Sequence, residues 1–147
     1  MVIQFLSERH DVRMAARRVS AVDGRPAGVS GDYQIGDQTV RLLMPLTMMN
    51  ESGEALRDLE VPPQDLLVVC DDVNLPLGTE DVPRLRIGVG TTELPRELTD
   101  FVLSPFQSTE RPVITRAIEQ AAEACEQWVT EGMDAVMNRY NNTQDAP

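Results

Sequence analysis

One histidine, His10, stands in the 147 residues of this chain, so any imidazole base must be that residue. A neutral imidazole takes a proton from water near physiological pH. A carboxylate on its other nitrogen fixes the tautomer and stabilises the charged form. Asp71, first of the pair Asp71-Asp72 that follows an apolar run, is the natural partner in the sequence. Asn50, within Thr47-Met-Met-Asn50-Glu-Ser-Gly53, adds an amide that donates and accepts at once and so can hold a water or a substrate carbonyl. Each also has an ordinary reading. His10 between Arg9 and Asp11 reads as a surface residue, Asn50 as a helix cap, and Asp71-Asp72 as turn chemistry before Asn74-Leu-Pro76.

Other chemistries find less support. Two adjacent aspartates and one distant histidine are too few ligands for a metal site, so none is expected. Cys70 and Cys125 belong to no C-x-x-C pair and read as buried free thiols. Gly88-Val-Gly90 is too short for a nucleotide fingerprint and reads as a strand-end turn, and no serine-nucleophile motif is present. The formal net charge of −11 argues against a polyanion partner on average, although a local basic patch can bind one.

The elements that position these residues follow from length and pattern. A chain of this length, 41% hydrophobic and 25% charged, suits one globular domain, read here as residues 1–140 with a frayed tail at 141–147. No apolar run reaches membrane-spanning length, and the start lacks the features of a secretory signal, which makes a cytoplasmic location the expectation. Residues 9–19 predict a short amphipathic helix, and the glycines and proline of 23–31 predict a loop. Residues 33–44 predict two strands about a Gly36-Asp37 turn, and 48–59 a helix. The β-branched run Leu66-Leu-Val-Val-Cys70 predicts a central strand with Asp71 at its carboxyl end, where open α/β sheets place their chemistry. A strand at 84–90, a short helix at 98–103 and a long helix from near Thr109 complete the pattern. Gly132 interrupts that helix before a further turn or two at 133–139. The alternation predicts an α/β fold, a mixed twisted sheet flanked by helices.

Read in order, these segments resemble the bacterial peptidyl-tRNA hydrolase family. Phe5-Leu-Ser-Glu-Arg-His10-Asp-Val is similar to the family's Tyr-x-x-Thr-Arg-His-Asn-x-Gly, and residues 40–53 resemble its V-R-L-x-x-P-x-T-[FY]-M-N-x-S-G block. Residues 66–78 resemble L-L-V-x-H-D-[ED]-x-[DN]-L-P-x-G, and 83–90 resemble P-R-L-R-I-G-I-G. The resemblance implies a monomeric, cofactor-free hydrolase of the ester joining peptide to tRNA. It assigns His10 as the water-activating base, Asp71 as the carboxylate that orients it, and Asn50 as the amide on water or carbonyl. Phe5 and Met48 would flank the tRNA terminus and peptide, with Arg84 and Arg86 on the phosphate side.

The chain also departs from the family pattern. It begins after the apolar strand ending G-L-G-N-P-G, and Leu75-Pro-Leu-Gly78 runs directly into Thr79 where the family carries a basic strand, a Gly-rich loop and a helix. Asp11 and Arg13 replace an Asn and a Gly beside the base. The expectation is therefore a family fold lacking its first strand and an internal strand-loop-helix segment. The alternative function is a catalytically impaired binding protein, or a nonfunctional truncated product.

Overall fold

The structure is a computed structural model that describes residues 1–18, 25–72, 83–89 and 103–141. The chain forms two compact units, residues 1–60 with 122–147, and residues 61–121.

The first unit begins with helix α1, Val2–Arg9. Val2 and Leu6 lie one turn apart and are both buried, which places one stripe of the helix inward. The helix ends in a Schellman arrangement. Val12 N–H donates to the Ser7 carbonyl at 2.8 Å, Asp11 N–H donates to the Glu8 carbonyl at 3.3 Å, and Asp11 takes the left-handed conformation at φ 50°. Aspartate tolerates that region better than most residues, but its charge lies at the negative end of the helix. Asp11→Asn should therefore stabilise the protein by roughly 0.5 kcal/mol, and Asp11→Val should cost about 1–2 kcal/mol. Denaturant midpoints of the two variants check both signs.

Three strands follow: β1 Ala15–Arg18, β2 Pro26–Ile35 and β3 Gln38–Pro45. They form one antiparallel sheet in the order β1-β2-β3, and the β1–β2 register shifts between Arg17 and Arg18, where Ala27 of β2 is passed over. The helix expected at 9–19 is thus corrected to a helix that ends at Arg9 and a strand that starts at Ala15. Strand pairing overrides the helix preference of Ala-Ala-Arg-Arg. The loop expected at 23–31 is corrected too, because β2 already runs from Pro26.

Gly28 and Gly31 serve close approach rather than turning. A Cβ on Gly31 would lie 2.5 Å from Val12 Cγ1 and 2.9 Å from the Arg13 carbonyl oxygen, and one on Gly28 would lie 2.8 Å from the Met44 carbonyl oxygen. The expected hairpin is present, with Gly36 at φ 57° in its turn. Directly opposed Asp32 and Arg41 lock its register through two hydrogen bonds of 2.7 Å, which hold the Asp32 carboxyl below its usual range. Both side chains are well exposed, so the pair contributes at most about 1 kcal/mol.

Residues 49–56 form a 3₁₀ helix, Met49–Leu56, in place of the longer helix expected at 48–59. Its Ala55 is fully buried and packs with Ala27 and Leu43, whereas Met49 is 84% exposed. The second unit holds a short 3₁₀ turn, Pro63–Asp65, and strands β4 Val68–Asp72 and β5 Arg84–Gly88, paired in parallel. Asp71 lies inside β4, opposite Ile87, rather than beyond the strand's end. Antiparallel and parallel pairings together give the mixed α/β character expected, distributed over two sheets among the described strands.

Helix α2, Arg111–Glu131, supplies its first half to the second unit and its second half to the first. Glu110 reaches back to accept the Gln107 N–H at 2.8 Å, satisfying a donor at the helix start, and Pro112 sits in the first turn. Ala122, Ala124 and Cys125 are buried, a small-residue face that lets the helix backbone come close to its neighbours. Gly132, at φ 85° and ψ 176°, takes a conformation essentially reserved for glycine and separates α2 from α3, Met133–Tyr140. The short helix expected at 98–103 lies largely outside the described residues, as does the tail beyond residue 141. Both cysteines are free thiols, as expected; Cys125 is buried and Cys70 half-buried. No helix among the described residues is long and apolar enough to cross a membrane.

Candidate active site

The C-cap of α1 delivers His10 to the site with φ −102° and ψ 9°. One turn back on the same helix, Phe5 and Arg9 share a face, and the Arg9 guanidinium lies 4.8 Å from the centre of the Phe5 ring. The His10 ring stacks on Tyr33 of β2, with centroids 4.1 Å apart and planes 24° from parallel. Its Nε2 lies 2.6 Å from Glu126 Oε1 of α2, and the other oxygen of that carboxylate accepts from Arg9 Nη1 at 2.9 Å. A carboxylate only accepts, so Nε2 is the nitrogen that carries the proton in neutral His10. About a quarter of the His10 side chain remains exposed. The imidazole is therefore held at one nitrogen and on one face while remaining accessible to water.

Burial sets the chemistry of the two groups beneath this cluster. Tyr33 is pushed up to about 12, first by burial and then by the electrostatic effects of Glu126 and, as it ionises at high pH, Cys125, against a smaller opposing effect of Arg9. Burial also pushes the Cys125 thiol up to about 12, with Glu126 adding to it. Both groups stay neutral in assays near neutrality, so Tyr33 acts as an uncharged platform. In the unfolded chain their ordinary values are 10 and 9, so above those the unfolded state loses protons that the folded state keeps. Stability should consequently fall as pH rises from about 9 to about 12. Denaturant titrations across that range, repeated on Cys125→Ala, test the sign.

The residues expected from sequence are distributed as follows. Phe5 and His10 meet through Arg9 in the cluster just described. Asn50 and Met48 are exposed at the start of the 3₁₀ segment after β3. Asp71, also exposed, and Arg84 and Arg86 belong to the β4–β5 pair of the second unit, where Arg86 faces Cys70 and Arg84 faces Val68 in the register. Sequence reasoning missed Glu126. The one available signal was its place on α2, four residues after the buried Ala122 and three before the half-buried Val129, where a carboxylate is out of keeping with the apolar stripe. No group of three or more metal-ligating side chains is found among the described residues.

Comparison with known proteins agrees with the resemblance of the sequence blocks. A family model described as peptidyl-tRNA hydrolase matches residues 1–81 and 76–147. The peptidyl-tRNA hydrolase of Syntrophomonas wolfei is 35% identical over 95% of this chain and 87% of its own length. That of Geobacillus kaustophilus is 33% identical over 84% and 81%. The aligned stretch with the first, 168 positions, is longer than the 147 residues here, so the relative contains residues without a counterpart in this chain. A crystal structure of a peptidyl-tRNA hydrolase in complex with N-propanol superposes with a TM-score of 0.75 at 22% identity, covering 99% of this chain and 85% of that one. That likeness bears out the mixed α/β fold.

Proposed function

We propose that this chain, which belongs to the peptidyl-tRNA hydrolase family, hydrolyses the ester between a peptide or blocked aminoacyl group and the terminal ribose of tRNA. The observation that supports this most is the setting of His10. The only imidazole falls in a family sequence block, is anchored at Nε2, rests on a neutral ring and remains partly open to water. His10 takes a proton from water as the oxygen attacks the ester carbonyl. The resulting tetrahedral oxyanion collapses, the C–O bond to the ribose breaks, and the proton returns to the leaving hydroxyl. Asn50 donates from its amide to the carbonyl oxygen or holds the water. An ester with an alkoxide leaving group needs only a positioned water and a base, so no metal or cofactor is invoked.

The remaining assignments rest on the sequence blocks. Phe5 and Met48 flank the tRNA terminus and peptide. In the sequence blocks Asp71 takes the place of the carboxylate that orients the base, and Arg84 and Arg86 contact phosphate. The protein acts as a cytoplasmic monomer with tRNA as its partner, and the family domain occupies residues 1–140.

Incubating the purified chain with N-acetyl-aminoacyl-tRNA and measuring release of the N-acetyl amino acid tests the reading. Multiple turnover is the expected result. Complexes with tRNA in the absence of turnover would replace hydrolysis by a binding role.

A further inference from the structure

Among the described residues, the Glu126 carboxylate is the charged side chain that joins the base to a second element of the fold, and the family resemblance gives it no role. It sits on α2, 116 residues from His10 in sequence, and bridges His10 Nε2 and Arg9 Nη1 at 2.6 and 2.9 Å. Three further features suit the carboxylate to orienting a ring. Arg9 takes the second oxygen, so the carboxylate cannot rotate without breaking an ion pair. Tyr33 lies under the imidazole face and limits its tilt. The helix behind Glu126 is anchored by the buried Ala122 and Cys125, which fixes the height at which the carboxylate meets the ring.

We propose that Glu126, rather than Asp71, is the residue that positions His10 in this chain: its carboxylate accepts Nε2–H, commits the imidazole to that tautomer, and makes Nδ1 the nitrogen that takes the proton from water. Among the described residues, the imidazole meets Glu126 on α2 and Tyr33 on β2, its chain neighbours are Arg9 and Asp11, and Cys125 acts on Tyr33 behind it. Among them Glu126 contacts the ring edge and carries negative charge, so the imidazolium formed during the reaction gains its counter-ion there. Arg9 extends the arrangement as a positioning residue for Glu126.

This inference rests on the hydrolase reading for its kinetic consequence but not for its structural one, and the experiment separates the two. Because His10 is the only histidine, imidazole nitrogen and proton resonances of the folded protein report on it without assignment ambiguity. The wild type should show an Nε2–H resonance that is downfield and protected from exchange with water. Glu126→Ala should lose that protection, and Glu126→Asp should restore part of it. In turnover of N-acetyl-aminoacyl-tRNA, Glu126→Ala should lower kcat about 10²-fold with KM within about twofold, toward the low end of what a general base contributes, and Asp71→Asn should lower it less. An unchanged imidazole spectrum in Glu126→Ala overturns the assignment. So does an unchanged or raised kcat, which would mark the carboxylate as an obstruction of the base. A loss of kcat in Asp71→Asn that exceeds the loss in Glu126→Ala returns the role to Asp71. Absence of turnover in the wild type overturns the hydrolase reading and leaves the spectra to decide who holds His10.

Discussion

His10→Ala is expected to lower kcat for an N-blocked aminoacyl-tRNA by about 10²–10⁴-fold, the span that a positioned general base supplies. KM should stay close to that of the wild type, because the imidazole acts on water and not on the bound tRNA. Folding should also survive. The side chain is partly exposed, and its backbone is held by the Schellman bonds of Asp11 and Val12, which a substitution at residue 10 leaves in place. A thermal melt within a few degrees of the wild type, together with the kinetic loss, separates a chemical role from a structural one. Equal turnover by the two proteins would mean that the base lies elsewhere, and the ordinary reading of His10 as a surface residue would stand.

The second large effect concerns Gly31. An alanine there would place its Cβ 2.5 Å from Val12 Cγ1 and 2.9 Å from the Arg13 carbonyl oxygen. The valine methyl can rotate away, but the carbonyl belongs to the backbone leading into β1 and moves only with that segment. Overpacking of this kind costs about 1–3 kcal/mol, and here the relaxation would displace the residues directly following His10. Gly31→Ala should therefore lower the denaturant midpoint and reduce kcat as well, although the glycine touches no reacting atom. If stability drops while kcat per folded molecule is unchanged, the strain is absorbed away from His10. A wild-type midpoint would show that β1 lifts from β2 at little cost.

What the sequence made legible follows from how locally each feature is determined. The β2–β3 hairpin could be read because Gly36-Asp37 demands a turn and the flanking residues alternate. The long C-terminal helix and its break at Gly132 were readable for the same reason, a periodic stripe interrupted by the residue that tolerates the required dihedrals. β1 was not readable. Ala15-Ala16-Arg17 favours helix in isolation and becomes a strand only by pairing with β2.

Gly28 and Gly31 misled for a different reason. Glycine serves turns and close approaches alike, and only the crossing chain, invisible in the local pattern, separates the two. The site divides in the same way. His10 could be singled out by type and count, whereas its contact with Glu126 spans 116 residues and is created by tertiary packing alone.

The short strand β1, four residues long and shifted in register against β2 between Arg17 and Arg18, has a consequence for how this protein behaves at high concentration. Among the described residues it forms one lateral margin of the three-stranded sheet, where unpaired N–H and C=O groups can recruit another chain. A margin so brief, paired to a strand that carries an extra residue at Ala27, offers a second molecule too few bonds in register to template growth. The shortness of β1 thus guards against intermolecular β-stacking.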